Sequence, residues 1–375
     1  MEFMINHECF YKAISDVSKA VSPKTPFPIL TGIKITANND YLILVGSNSD
    51  IVIQKVIPMM INGVKILEIY HTGSVVISAK YLSEIVRKLS DKIHIKVSEK
   101  QLVTIQSDEI VTQLNGFNSN EYPSLPSIDE AKIIRIHRDE LIDMIKQTAF
   151  AASKSESRPA LTGVNMTFTE KRLTCSATNS HRLALRDLAI KSNITGSYIV
   201  PSSSLNDLTK LMDNESDELN IFLTERHIVF NSKTVSLFSR LIEGNYPNVS
   251  GLIPNQSKTT ITMNTKQLLE GIDRASLFAS EWKNNNVHIE IQDGTKIGIS
   301  STSSEVGKIE ETQYIRSFKG ETDLSISLNG SFLMDALKVI KEEEVRLSFC
   351  GSMRPVLIEP IGNSNYLHLI SPVRS

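Results

Sequence analysis

Ser180-His181-Arg182 sets a hydroxyl, an imidazole and a guanidinium side by side. A serine beside a histidine has the residue types of a nucleophile and its base. Adjacent residues on an extended strand point to opposite faces, however. No Gly-x-Ser-x-Gly sequence is present to hold a serine on a strained turn. The trio therefore reads either as an exposed turn or as the rim of a groove, supplying directed donors to a bound peptide. Glycine-rich phosphate loops, zinc-ligand spacings and paired-carboxylate motifs are absent from the sequence. Asp139-Glu140 and Glu342-Glu343-Glu344 read as acidic runs at a helix start and a helix end, solvated in both cases. Cys9, Cys175 and Cys350 are widely spaced and odd in number, which argues for buried thiols over disulfides or zinc. An enzyme is the reading with no constellation behind it.

A second pattern is electrostatic. Glu84 with Arg87, Asp207 with Lys210 and Asp335 with Lys338 recur at matched places in three helices. Such i,i+3 pairs are ordinarily solvated helix faces worth a few tenths of a kcal/mol. The sharper alternative is a base kept at one spot because all three helices face a common polyanion.

The elements that carry these residues come from an internal repeat. Residues 28–36 read PILTGIKIT and residues 159–167 read PALTGVNMT, an offset of 131. At the same offset Phe10 and Ile14 become Leu141 and Ile145, and Gly46 to Asp50 becomes Ala177 to His181. A third copy begins at Thr260, with Leu268 and Ile272 in the helix positions. Asn120-Glu121-Tyr122-Pro123 and Gly244-Asn245-Tyr246-Pro247 read as the turns that close the first two copies. Within the first copy, a strand at Phe3 to Ile5 leads into a helix with apolar residues at 10, 14, 17 and 21. Alternating strands follow at Ile33 to Ile35, Tyr41 to Val45 and Ile51 to Ile53. The second half repeats the order, with Val75 to Ile77, a helix from about Lys80 to Leu89, and strands at Ile93 to Val97 and Leu102 to Ile105. One chain thus holds six strand–helix–strands units. Where equivalent loops differ, a role special to one copy is expected: Ser49-Asp50-Ile51 and Ser304-Glu305-Val306 lack the His-Arg pair of the second copy.

Composition agrees with several folded domains. The 375 residues are 41% hydrophobic and 22% charged, too apolar for disorder. No apolar run reaches the ~20 residues of a membrane span. The start, MEFMINHECF, lacks a basic stretch followed by an apolar one, so a cytoplasmic protein is expected. The net charge of −2 counts against an evenly basic nucleic-acid binder. It leaves room for a basic inner wall and an acidic outer face.

Pro28 to Gly32, Arg158 to Gly163, Ala177 to Ala184, Glu243 to Pro247 and the terminal Pro372-Val373-Arg374 resemble the bacterial DNA polymerase III beta subunit family, the sliding clamps. The likeness runs the length of the chain in order. It implies an α+β fold of three repeated DNA-clamp domains, at 1–129, 130–256 and 257–375, each with two helices and two antiparallel sheets. Two chains would join head to tail as a ring whose twelve helices surround double-stranded DNA, with no cofactor. Phosphate contacts would hold the DNA without reading its sequence. DNA polymerases, the clamp loader and repair proteins would bind through clamp-binding peptides.

Carried over by position, the family's peptide pocket resembles a site of Leu161, Thr178, Ser180, His181, Arg182, Leu183, Pro247, Leu252, Met353, Pro355, Val356, Leu369, Ile370, Pro372, Val373 and Arg374. An apolar groove with a few directed polar groups suits an extended peptide with a Leu or Phe anchor. Lys24 stands where clamps commonly have an arginine that touches DNA, and Arg87, Lys210 and Lys338 are the matched helix bases. Leu277 and Phe278 match the apolar pair of the dimer interface, with Glu305, Glu310 and Glu311 as its acids and Lys92, Lys96 and Lys100 as their partners in domain one. The chain departs from the pattern at Ser202-Ser203-Ser204, Asp108-Glu109 and Ser371, the last in place of a large apolar residue. These departures leave a second reading open: a regulatory clamp paralogue that binds replication or repair proteins but loads poorly on DNA.

Overall fold

The computed structural model describes residues 1–126, 128, 133–212, 217–254, 256–279, 286–305 and 307–373. Among them are six α-helices: α1 His7–Ser18, α2 Ala79–Val86, α3 Arg138–Thr148, α4 Ser202–Leu211, α5 Thr265–Ala279 and α6 Gly330–Lys338. Each repeat supplies two, and all the longer ladders between strands are antiparallel.

The offset found in the sequence is present in atomic detail. Pro28–Thr31 and Pro159–Thr162 are both 3-10 turns with proline at the start. In each, the threonine hydroxyl donates to the proline carbonyl at 2.7 Å. The glycines that follow are a packing requirement. A Cβ on Gly32 would lie 2.6 Å from Val76 Cγ1, and one on Gly163 would lie 2.6 Å from Ile199 Cγ2. The strands opened by these glycines bury Ile33, Ile35 and Ala37 in one copy and Val164, Met166 and Phe168 in the other. Helix α1 starts where the Asn6 side chain accepts from Cys9 N at 3.1 Å, and it buries Phe10, Ala13, Ile14 and Val17.

The two tyrosines expected only to mark turns have a packing role. Tyr122 is buried and donates to Val45 O at 3.4 Å. Tyr246 accepts from Thr178 N at 3.0 Å, and burial pushes its hydroxyl up to about 12. Each closing loop is thereby pinned onto its own repeat. The run at 342–344 is not simple solvated surface either. It lies beyond the end of α6, where Glu342 accepts from Tyr366 Oη at 2.5 Å, and Glu343 and Glu344 hold Arg316 at 3.0 and 3.1 Å.

Each repeat contributes two groups of four strands, one of them extended by an edge strand in repeats one and three, and groups from neighbouring repeats fuse. The eight-stranded sheet joins repeats one and two where Ile51–Lys55 pairs with Val235–Ser239. The nine-stranded sheet joins repeats two and three where Arg182–Arg186 pairs with Tyr366–Ile370. In both joints the fourth strand of one repeat meets the last strand of the next. Two equivalent strands are left at sheet edges: Ile110–Asn115, the last of repeat one, and Gly307–Tyr314, the fourth of repeat three. Sequence reading missed Ile110–Asn115, the strand Leu67–His71 at the opposite edge of the same sheet, and the short hairpin of Met60–Ile61 with Val64–Lys65. The chain divides into two compact units, residues 1–138 with 207–241 and residues 139–206 with 242–375, so the second repeat contributes to both.

Candidate functional site

The residues expected to bind a peptide gather around the second joint, inside the unit of residues 139–206 and 242–375. Leu183 lies opposite Leu369, which in turn lies opposite Leu357. Strand alternation puts these three on one face. There they form an apolar cluster with Val249, and Leu185, Tyr246 and Leu367 pack against it. Nearby segments supply exposed apolar side chains: Leu252 is 51% exposed and Met353 61%.

The other face belongs to a core. Val356 and Ile370 pair with one another and are buried among the apolar residues of the third repeat. They support the groove strands from behind. Leu161 is also buried, Pro247 is exposed, and Pro355, Pro372 and Val373 are half-buried. Arg374 lies outside the described residues.

Arg182 also turns inward. Its side chain is 8% exposed, and Nη1 donates to Asp335 Oδ2 of α6 at 2.6 Å. Nη2 donates to Phe150 O, and the rings of Phe332 and Phe150 lie 4.4 and 5.3 Å from the guanidinium carbon. At the equivalent place repeat one has the buried Ile51. A cation where a homologous copy has an aliphatic side chain needs such partners, because an unpaired buried charge is costly. Next to it His368 is fully buried with neither ring nitrogen hydrogen-bonded, and burial, then Arg182, pushes it down to about 3. Arg182 thus braces the joint, with both terminal nitrogens engaged by groups of its own chain.

The rim is a hydrogen-bonded turn. Asn179 Oδ1 accepts from His181 N and Arg182 N, each at 3.0 Å. Thr178 Oγ1 donates to Arg182 O at 2.6 Å, and Ser371 N donates to His181 O at 2.8 Å. Ser180 has φ 76°, and its hydroxyl accepts from Arg158 Nη1 at 3.2 Å. The Ser-His pair therefore sits in a turn and not on a strand, which corrects the strand-face argument used against a nucleophile. Ser180 and the exposed His181 make no hydrogen bond with each other among the described contacts. Tyr246, Pro247 and Val249 also wall a polar cavity of about 590 Å³ lined by Asn165, Thr167 and Ser176. Val249 and Leu357 were not foreseen, and Tyr246 and Asp335 were expected in other roles, as a closing turn and as the partner of Lys338. The alternation of Tyr366 to Ile370 carried the signal for Leu367 and Leu369 sharing a face.

Elsewhere, Lys24 is exposed in the loop after α1. Two of the three matched helix pairs form: Arg87 with Glu84 at 2.6 Å and Lys210 with Asp207 at 3.7 Å. The third does not, since Asp335 pairs with Arg182, and Lys338 is left exposed. Leu277 is 69% exposed and Phe278 half-buried near the end of α5. Of the expected interface acids, Glu305 is exposed and Glu310 lies 3.3 Å from Lys308. Glu311 is clasped by Arg274 at 2.8 and 2.7 Å, which holds its carboxyl below the usual range. Among their expected partners, Lys96 pairs with Glu2 at 3.5 Å. Among the described residues no three His, Cys, Asp or Glu side chains group to hold a metal ion, and no helix is long and apolar enough to cross a membrane.

Three family models match the chain in order: the DNA polymerase III beta subunit N-terminal domain over residues 1–126, the central domain over 135–248 and the C-terminal domain over 250–374. A beta sliding clamp of Bacillus subtilis is 43% identical over 378 aligned residues, covering all of both chains. One from Staphylococcus aureus is 37% identical, again over the whole of both chains. Among solved structures, a DNA polymerase sliding clamp from Bacillus subtilis superimposes with a TM-score of 0.95 at 42% identity, covering 100% of this chain and 99% of that one.

Proposed function

The chain belongs to the DNA polymerase III beta subunit family, and from that premise we propose how its own residues hold a partner peptide, DNA and a second copy of the chain. The protein is a DNA sliding clamp, a non-catalytic processivity subunit built of three clamp domains. The domains divide near residues 129 and 256 on this reading, and work on DNA puts the protein in the cytoplasm.

One observation carries the assembly: the strand joint made twice within the chain leaves one unmatched strand of each kind. Ile110–Asn115 is an open edge with Ile110 and Val111 more than half exposed, and Gly307–Tyr314 is an open edge with Tyr314 exposed. Open edges invite pairing. A third copy of the joint, between chains, satisfies both and gives a head-to-tail dimer. Leu277 and Phe278 pack at that contact, and Glu305, Glu310 and Glu311 face basic residues of domain one. Glu310 and Glu311 already have cations of their own chain, so they contribute to orientation more than to affinity. Closing the ring presents Lys24, Arg87, Lys210 and Lys338 to duplex phosphates.

Polymerases, the clamp loader and repair proteins dock by a peptide laid over the Leu183–Leu369 cluster. Leu252 and Met353 close over its apolar anchor, and the backbone of the turn at 178–181 aligns it. The test is to load the purified protein on nicked circular DNA and measure polymerase run length. Longer runs are expected; runs no longer than those of polymerase alone would overturn the reading.

A further inference from the structure

A second cavity, of about 500 Å³, lies in the unit of residues 1–138 and 207–241 and includes none of the peptide-site, DNA-contact or dimer-interface residues named above. Its floor is apolar, with Ala13 of α1 and Ile57 buried beneath it. One wall is Ile61, 42% exposed, on the short hairpin that also exposes Met60 and Val64. The hairpin turns tightly through Asn62 and Gly63, at φ 50° and 79°. Three lysines border the cavity from three separate segments: Lys12 on α1, Lys55 on the strand Ile51–Pro58, and Lys233 between the last two strands of the second repeat. No carboxylate lines it. Lys12 and Lys233 are exposed and make no ion pair among the described residues.

We propose that this cavity is a second docking site, which takes an acidic peptide segment of a partner protein bearing one apolar anchor. The anchor side chain covers Ala13, Ile57 and Ile61, and the flanking carboxylates meet the lysines. Like charges gathered around a low-dielectric floor attract an anion more strongly than the same charges spread over open surface. The apolar floor separates this occupant from a nucleic-acid backbone, whose phosphates and sugars present nothing comparable to bury. The site shares no residue with the groove at the second joint.

The probe is a fluorescent ten-residue peptide with a central leucine between aspartates and glutamates, titrated against the full-length protein. A neutral version carries Gln and Asn in place of the acids. Binding of the acidic peptide is expected, weakened roughly tenfold by Lys12→Gln with Lys233→Gln and by raising salt from 0.05 to 0.5 M. Ile61→Ser is expected to weaken it too, while Met353→Ala and an added clamp-binding peptide leave it unchanged. Thermal melts check that each variant is folded; if the lysine pair is not, Lys12→Gln alone is read. Equal binding by the neutral peptide, by the lysine variants or by Ile61→Ser overturns the proposal. So does displacement by the clamp-binding peptide. If duplex DNA binds in a Lys12- and Lys233-dependent way and the acidic peptide does not bind, the occupant is nucleic acid and the proposal fails.

Discussion

Arg182 of the second repeat donates to Asp335 of the third at 2.6 Å, 153 residues away in sequence. This bond ties the loop beside the Leu183–Leu369 cluster to helix α6. Removing the carboxylate leaves a nearly buried guanidinium with one fewer acceptor. Asp335→Ala should therefore lower stability by about 1–3 kcal/mol, with Asp335→Asn recovering part of it. The measurement is urea unfolding of the three proteins, and identical midpoints would mean that the pair contributes nothing. Arg182→Ala should weaken peptide binding through loss of this brace, with a stability loss alongside.

His368 makes stability depend on pH. The folded chain holds its ring neutral down to about 3, whereas an unfolded histidine binds a proton near 6.5. Between these values the unfolded chain carries the extra proton, so stability falls as pH drops below about 6.5. One such group contributes a slope of at most about 1.4 kcal/mol per pH unit. His368→Phe, which keeps a ring against Phe150 and Tyr366, should flatten that part of the curve. An unchanged slope from pH 6.5 to 4 would assign it to other groups.

Ser371 stands beside the rim, its N–H already given to His181 O. A leucine there would add some 40–60 Å² of apolar contact, about 1–1.5 kcal/mol or roughly tenfold in affinity. Titration with a clamp-binding peptide should show Ser371→Leu tighter and Met353→Ala weaker than the parent. No change in either would mean that the peptide binds elsewhere.

Lys24→Glu should reduce binding to duplexes of every sequence alike and lower the salt slope by about one. A sequence-dependent loss would contradict a backbone contact.

Leu277→Asp with Phe278→Asp should give folded monomers in sedimentation. A dimer that survives would remove α5 from the interface.

Much of the fold was legible because the repeat imposes the same local rules three times. Pro28 and Pro159 start matching turns, Gly32 and Gly163 admit matching neighbours, and Phe10, Leu141 and Leu268 fill matching core positions. What stayed hidden depends on pairing between distant segments. The sequence around Asp335 points to Lys338 three residues on, and only the fold shows that Arg182 takes it instead. Val249 and Leu357 are similar: each lies in an unremarkable local pattern, and both reach the groove because Leu369 pairs where it does. Ile110–Asn115 was missed because its first two apolar residues, Ile110 and Val111, are consecutive and both exposed, against the alternation of a strand that feeds its own core.

The strand joint has one further consequence, which concerns molecularity. Inside the chain the two joints connect segments tethered by covalent backbone, so their strength is indifferent to how much protein is present. The proposed third joint, between chains, would have no tether and would weaken on dilution. Of otherwise similar seams, the one that can part without unfolding anything is the intermolecular one. On the proposed assembly, a closed circle of DNA would enter through that seam, and the lifetime of the seam would set how long the clamp stays on.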